Sequence, residues 1–126
     1  MIEVKKFDSI RQLDGISEPT MTAHYQLYEG YVKKTNEILE KLTKVDLDSA
    51  NQTFSDIRSL KVDLTFALGG VKNHELYFDN LGGNGGQPTG ILLKQIETDF
   101  GSFNAWQKDM KATGLARRGW AWLEWD

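Results

Sequence analysis

The spacing of apolar and polar positions in the first two thirds of the chain predicts two long helices. Ser17 suits the position before a helix and Pro19 is tolerated in the first turn. Apolar residues then recur every three or four positions from 20 to 44, and again from about 49 to 68, where two glycines allow a bend before the helix continues. Because a short polar connection joins the two helices, we expect an antiparallel hairpin.

The sequence pattern changes beyond residue 82. The run GGNGGQPTG at 82–90 cannot be helix interior, so it marks a boundary. Two shorter helices are predicted after it, at about 91–99 and 102–113, the second capped by Ser102. The sequence therefore predicts an N-terminal arm at 1–16, a helical hairpin domain at 17–82 and a C-terminal domain at 83–126.

The last residues of the chain show the alternation that is typical of a half-buried strand. Ala121, Leu123 and Trp125 fall on one face of an extended segment, and Trp122 and Glu124 fall on the other. A strand must satisfy its backbone donors and acceptors on a neighbouring strand, and the pattern stops where a sheet should begin. The predicted fold class is α+β, mostly helical, with the hairpin followed by two shorter helices and a strand.

Composition excludes several classes of function. The chain has 126 residues, 40% of them hydrophobic and 26% charged, and a net charge of −3 that offers no basic surface for nucleic acid. No apolar run approaches the roughly 20 residues that span a bilayer, and the start MIEVKKFDSI lacks the apolar core of a signal peptide, so we expect a cytoplasmic protein. Cysteine is absent, so a metal would have to be held by histidine, carboxylate or water.

The two histidines are the candidate metal ligands. His24 and His74 lie fifty residues apart, one on each helix of the predicted hairpin. If the hairpin turns near residue 46, His24 lies opposite a residue near 68, a short distance along the helix from His74. Both imidazoles can then face one aromatic-lined cavity. Packed, hydrogen-bonded histidines without a metal are the alternative, since a redox metal generally takes three or more protein ligands, and Glu29 and Glu75 nearby have the pattern of solvated charges.

Four further stretches follow one another along the chain: ISEPTMTAHYQLYEGYV, NHELYFDNLGG, PTGILLKQIETDFGSFNAWQKDM and GWAWL. In this succession, from about residue 16 to residue 125, the chain resembles the iron/manganese superoxide dismutases. The resemblance implies an N-terminal helical hairpin followed by an α/β domain with a three-stranded antiparallel sheet, of which the tryptophan-rich segment is the first strand. It also implies superoxide as the substrate, an iron or manganese ion as the cofactor, and a homodimer.

The resemblance also assigns roles to individual residues. His24 is similar to the first metal ligand of the family and His74 to the second. Tyr31 resembles the tyrosine that gates the substrate channel, although strict spacing from the first histidine points to Val32, which cannot hydrogen-bond. Three aromatic residues resemble those that wall the metal pocket: Phe78, Trp120 and Trp122.

One motif of the family is missing from this sequence. The family takes its other two protein ligands from an Asp-x-Trp-x-x-His stretch, and nothing here matches it; Asp126 is assigned no ligand role. We therefore expect this chain to hold half of the metal site and to have little or no dismutase activity alone. The alternative is a non-catalytic helical module that binds a partner through an exposed strand edge.

Overall fold

A computed structural model of the chain describes residues 1–125. After an extended arm with a short 3-10 helix at Asp8–Ile10, four α-helices follow: α1, Glu18–Leu42; α2, Asp56–Asp79; α3, Gly90–Phe100; and α4, Phe103–Ala116. The chain separates into two compact units, Met1–Gly83 and a second that begins at Asn84. None of the helices in the described residues is long and apolar enough to cross a bilayer.

The first unit is a hairpin of α1 and α2, and the N-terminal arm packs against both helices. Ser17 caps α1, as predicted, by accepting a hydrogen bond from the backbone N–H of Thr20 at 3.4 Å. Each helix buries a stripe of residues three, four or seven apart, which is the spacing of one helix face. These stripes are Met21, Tyr28, Val32 and Thr35 on α1, and Ala67, Val71, His74 and Phe78 on α2.

The start of the second helix differs from the prediction. It begins at Asp56 because the side chain of Ser55 accepts a hydrogen bond from the backbone N–H of Arg58 and so caps the helix. Upstream, the carboxylate of Asp46 and the amide of Asn51 accept hydrogen bonds from backbone N–H groups two residues on, which holds the segment in turns. Apolar spacing alone does not reveal this competition between side chain and helix.

The predicted α+β class is wrong for the part of the chain that the structure describes. Residues 1–125 contain helices and no strand, so there is no three-stranded antiparallel sheet in them. Residues 120–125 lack regular structure because no other segment in 1–125 forms a ladder with them, and alternation of side chains cannot make a strand without a partner. The strand edge that a partner-binding module would use is therefore not formed among these residues. Asp126 lies outside the described residues.

Candidate metal site

The hairpin brings its two histidines face to edge. The centroids of the His24 and His74 rings are 4.9 Å apart, with an angle of 75° between the ring planes. The connecting segment explains this pairing, because residue 49 is midway between 43 and 55 and also midway between 24 and 74. His24 and His74 therefore lie opposite each other without a bend at the glycines of α2, and that helix is continuous.

A backbone carbonyl fixes the orientation of His74. Its Nδ1–H donates to the carbonyl oxygen of Gly70, one helical turn earlier, at 2.7 Å. This bond selects the tautomer in which Nε2 carries the lone pair that a metal would accept. The His74 side chain is buried, with 4% of the residue exposed. The second-turn position of His24 leaves that ring half-buried.

Electrostatics at the pair favour the neutral form of His24. Burial lowers the pKa of His24 below its usual value, and the nearby His74 lowers it further. A neutral imidazole is the form that binds a metal, so proton and metal do not compete strongly for His24 near neutral pH.

Aromatic side chains surround the two imidazoles. Phe78 is fully buried, with its ring centroid 5.4 Å from His24 and 5.9 Å from His74. Tyr31 lies 5.3 Å from His74 between centroids. Val32, the alternative at strict spacing, is 3% exposed and belongs to the hydrophobic core of the hairpin. Of the two candidates, Tyr31 places an aromatic ring beside His74, whereas Val32 carries no group that can hydrogen-bond.

The two candidate tryptophans belong to the second unit. Trp120 and Trp122 stack on each other with centroids 5.6 Å apart and an angle of 21° between their planes. Their role as walls of a metal pocket stays a prediction.

Sequence reasoning missed a polar network beside the histidines. Tyr28 is fully buried, donates its hydroxyl proton to Glu75 at 3.0 Å and accepts the backbone N–H of Lys5 at 3.0 Å. Glu75, interpreted above as a solvated charge, has only 15% of its side chain exposed and forms an ion pair with Lys5. No periodicity in the sequence links residue 5 to residue 75, so only the folded arm reveals the network.

This network predicts an unusual alkaline titration. Burial raises the pKa of Tyr28 to about 12, and the Glu75 carboxylate also raises it, while the N–H of Lys5 opposes the shift. Because the folded pKa lies above the ordinary value of 10, the stabilisation is complete below pH 10 and is lost as the pH rises towards 12. A tyrosine ionisation step near pH 12 is therefore expected in an ultraviolet absorbance titration, and we assign it to Tyr28.

Tyr28→Phe provides the control for that titration, because it removes only the hydroxyl. The step near pH 12 should disappear in this variant. Its absence from the folded wild-type chain would show that Tyr28 is not held as described.

Two imidazoles held between packed helices form a site suited to a transition-metal ion. The described residues contain no group of three or more His, Asp or Glu side chains that could hold a metal. The fold defines a class, a helical hairpin that holds two histidine rings side by side between its helices.

Comparison with known proteins agrees with this class. The alpha-hairpin domain of the iron/manganese superoxide dismutases matches residues 13–82, and the C-terminal domain of the same family matches residues 88–126. The chain is 45% identical to a superoxide dismutase [Fe] of Aquifex aeolicus, over 90% of this chain and 55% of the relative. It is 43% identical to a superoxide dismutase [Fe] of Aquifex pyrophilus, over 97% and 60%.

Manganese proteins also match. A superoxide dismutase [Mn] of Listeria monocytogenes is 36% identical over 86% of this chain and 58% of its own length. The chain belongs to the iron/manganese superoxide dismutase family, which confirms the resemblance drawn from the motifs. It spans between 55% and 60% of the length of these three relatives.

Proposed function

We propose that this chain supplies the histidine half of an iron or manganese site that converts two superoxide ions and two protons into dioxygen and hydrogen peroxide. The observation that carries the proposal is the His24–His74 pair, 4.9 Å apart between ring centroids, in a chain of this family. A bound iron or manganese ion supplies the one-electron chemistry that this reaction needs. A homodimer is part of the proposal by family resemblance alone, and the cytoplasmic location is a prediction from the sequence.

The residues of the hairpin contribute by orienting donors and excluding water. His24 and His74 offer neutral nitrogen donors, and the carbonyl of Gly70 holds the His74 ring in one tautomer. Phe78 closes the apolar side of the pair. We assign Tyr31 to hold solvent next to the metal and to limit access of substrate.

The donor set of this chain is incomplete for a redox-active ion. The sequence has two histidines, both already assigned, and no Asp-x-Trp-x-x-His stretch. Two neutral imidazoles bind iron or manganese weakly, and without an anionic ligand they stabilise the higher oxidation state poorly. The 126-residue polypeptide alone should therefore have little or no dismutase activity.

A chimera tests this proposal directly. The part of the Aquifex aeolicus relative that lies beyond the match is joined to this chain, and metal content and dismutase activity are measured for the chain and the chimera. We expect weak metal binding and negligible turnover for the chain, and stoichiometric metal with dismutase activity for the chimera. His74→Phe in the chimera should abolish both.

Two outcomes would contradict the proposal. Fast turnover with stoichiometric metal in the 126-residue chain would mean that its donor set is complete. A chimera that folds and carries metal but leaves superoxide untouched would mean that the site does not serve dismutation.

A further inference from the structure

The N-terminal arm crosses both helices of the hairpin at the level of the histidines. The backbone of Lys5 is held on both sides by α1, since its carbonyl oxygen accepts the hydroxyl proton of Tyr25 at 2.7 Å and its N–H donates to Tyr28 at 3.0 Å. The Lys5 ammonium then reaches α2, where it pairs with the carboxylate of Glu75. One residue of the arm thus bridges α1 and α2.

Other contacts fix the arm on each side of this bridge. The side-chain amide of Asn36 bonds to both the N–H and the carbonyl of Ile2, at 2.8 and 2.9 Å. Phe7 is buried and lies 5.2 Å from Phe78 between ring centroids. The hydroxyl of Ser9 donates to the carbonyl of Phe78 at 2.8 Å. The arm is therefore fixed to both helices, and we call its residues 2–9 the strap.

The strap is attached one residue from each imidazole. Tyr25 follows His24 in α1, and Glu75 follows His74 in α2. Both histidines lie at the end of the hairpin away from its connecting segment, within two turns of the first residue of α1 and of the last residue of α2. Helix ends open more readily than helix centres, so a crosslink there limits motion that packing alone allows.

We propose that Lys5 and Glu75 are positioning residues, which act through the strap to hold α1 and α2 at the spacing that the histidine pair requires. The purpose of that spacing rests on the proposed metal-binding function, whereas the effect on ring geometry does not. Glu75 touches Tyr28 and Lys5 and is assigned no contact with metal or substrate.

The geometry of the rings can be measured without a metal. A nuclear Overhauser effect between ring protons of His24 and His74 is expected in the metal-free 126-residue chain, because the ring centroids are 4.9 Å apart. Glu75→Gln keeps an acceptor for the Tyr28 hydroxyl and removes the charge that pairs with Lys5. Lys5→Met keeps the aliphatic stem and removes the ammonium. Each variant should lose at least half of the signal.

Three comparisons separate positioning from general stability. Lys6→Met, the neighbouring arm lysine, should leave the signal unchanged. Lys5→Arg preserves the ion pair and should retain the signal. The double variant Lys5→Glu, Glu75→Lys should recover part of it, because it restores the ion pair but removes the acceptor of the Tyr28 hydroxyl; a general loss of packing would not be recovered by exchanging charges. Circular dichroism checks that helix content is equal throughout.

The affinity for Ni²⁺ depends on the same ring geometry, because the two imidazoles are the proposed ligands. We expect Glu75→Gln to weaken Ni²⁺ binding by about 10-fold, the lower end of the range for changes around a metal ligand. An unchanged ring signal in both Glu75→Gln and Lys5→Met, or no signal in the wild-type chain, would overturn the proposal. A signal lost in both variants and partly recovered in the double variant supports it even if the chain binds no metal. A folded chimera without metal would reject the proposed function while the positioning role stands.

Discussion

Replacing His24 or His74 by phenylalanine is expected to weaken Ni²⁺ binding to this chain by about 100-fold, since even a change next to a metal ligand costs 10- to 100-fold in affinity. Ni²⁺ is the probe because imidazole sites bind it more tightly than Mn²⁺ or Fe²⁺. Phenylalanine keeps an aromatic ring among the neighbours of each histidine, Tyr77 and Phe78 for His24 and Tyr31 and Phe78 for His74. Isothermal titration calorimetry measures the change.

The double variant sharpens this prediction. If both imidazoles bind one ion, removal of the second costs little once the first is gone, so the two effects are strongly non-additive. Tyr77→Phe serves as a matched control, because it alters a ring beside His24 without removing a nitrogen donor. If the loss of binding free energy in the double variant equals the sum of the losses in the two single variants, the two histidines bind metal at separate weak sites.

Gly70→Ala is expected to destabilise the hairpin by about 1–3 kcal/mol, the usual cost of overpacking a core. A Cβ at this position would lie 2.6 Å from Cγ and Cε1 of Tyr31, well inside van der Waals contact. Either the Tyr31 ring or the helix must move, and Gly70 also provides the carbonyl that holds His74. Thermal denaturation measures the loss, and Ni²⁺ affinity is expected to fall with it.

Gly69→Ala is the matched control one position earlier. A Cβ there meets nothing within 4 Å, and the residue lies inside α2. Alanine is favoured over glycine in a helix interior by about 1 kcal/mol, so this variant should be more stable than the wild type. Equal effects of the two substitutions would show that Tyr31 does not pack against Gly70.

The hairpin was predictable because its evidence is local and periodic. The apolar stripe of α1 and the cap at Ser17 identify that helix without tertiary information. The start of α2 was misplaced because Ser55 and the turns around Asp46 and Asn51 compete with the helix, and apolar spacing cannot weigh that competition. The shorter helices were placed within three residues at each end by their glycines and Ser102.

The strand prediction failed for a different reason. Residues 121–125 have the alternation of a strand, but a strand exists only when another segment completes its hydrogen bonds. A sequence pattern shows that a segment can pair as a strand, but it does not show that a second strand is present to pair with it. Among residues 1–125 no such partner is formed, and the tryptophan-rich segment has no regular structure.

The histidine pair shows which part of the candidate site can be predicted by counting residues along the helices. Counting along two antiparallel helices is enough to bring His24 near His74, because helix rise is constant. It cannot detect that Lys5 crosses the same level, since the arm has no period and its contacts span up to seventy residues. The proximity of two helical residues is thus easier to predict than a contact made by the irregular arm.

Paramagnetic broadening by Mn²⁺ tests the central claim, that one ion binds between the two helices. Substoichiometric Mn²⁺ is titrated into the labelled chain while the ring resonances of His24 and His74 are followed by nuclear magnetic resonance. We predict that both rings broaden at the same metal ratio before any carboxylate on the surface does, and that replacing either histidine by phenylalanine abolishes the early broadening of the other. Early broadening of the remaining ring in a single variant, or of surface carboxylates first, would contradict a shared metal site.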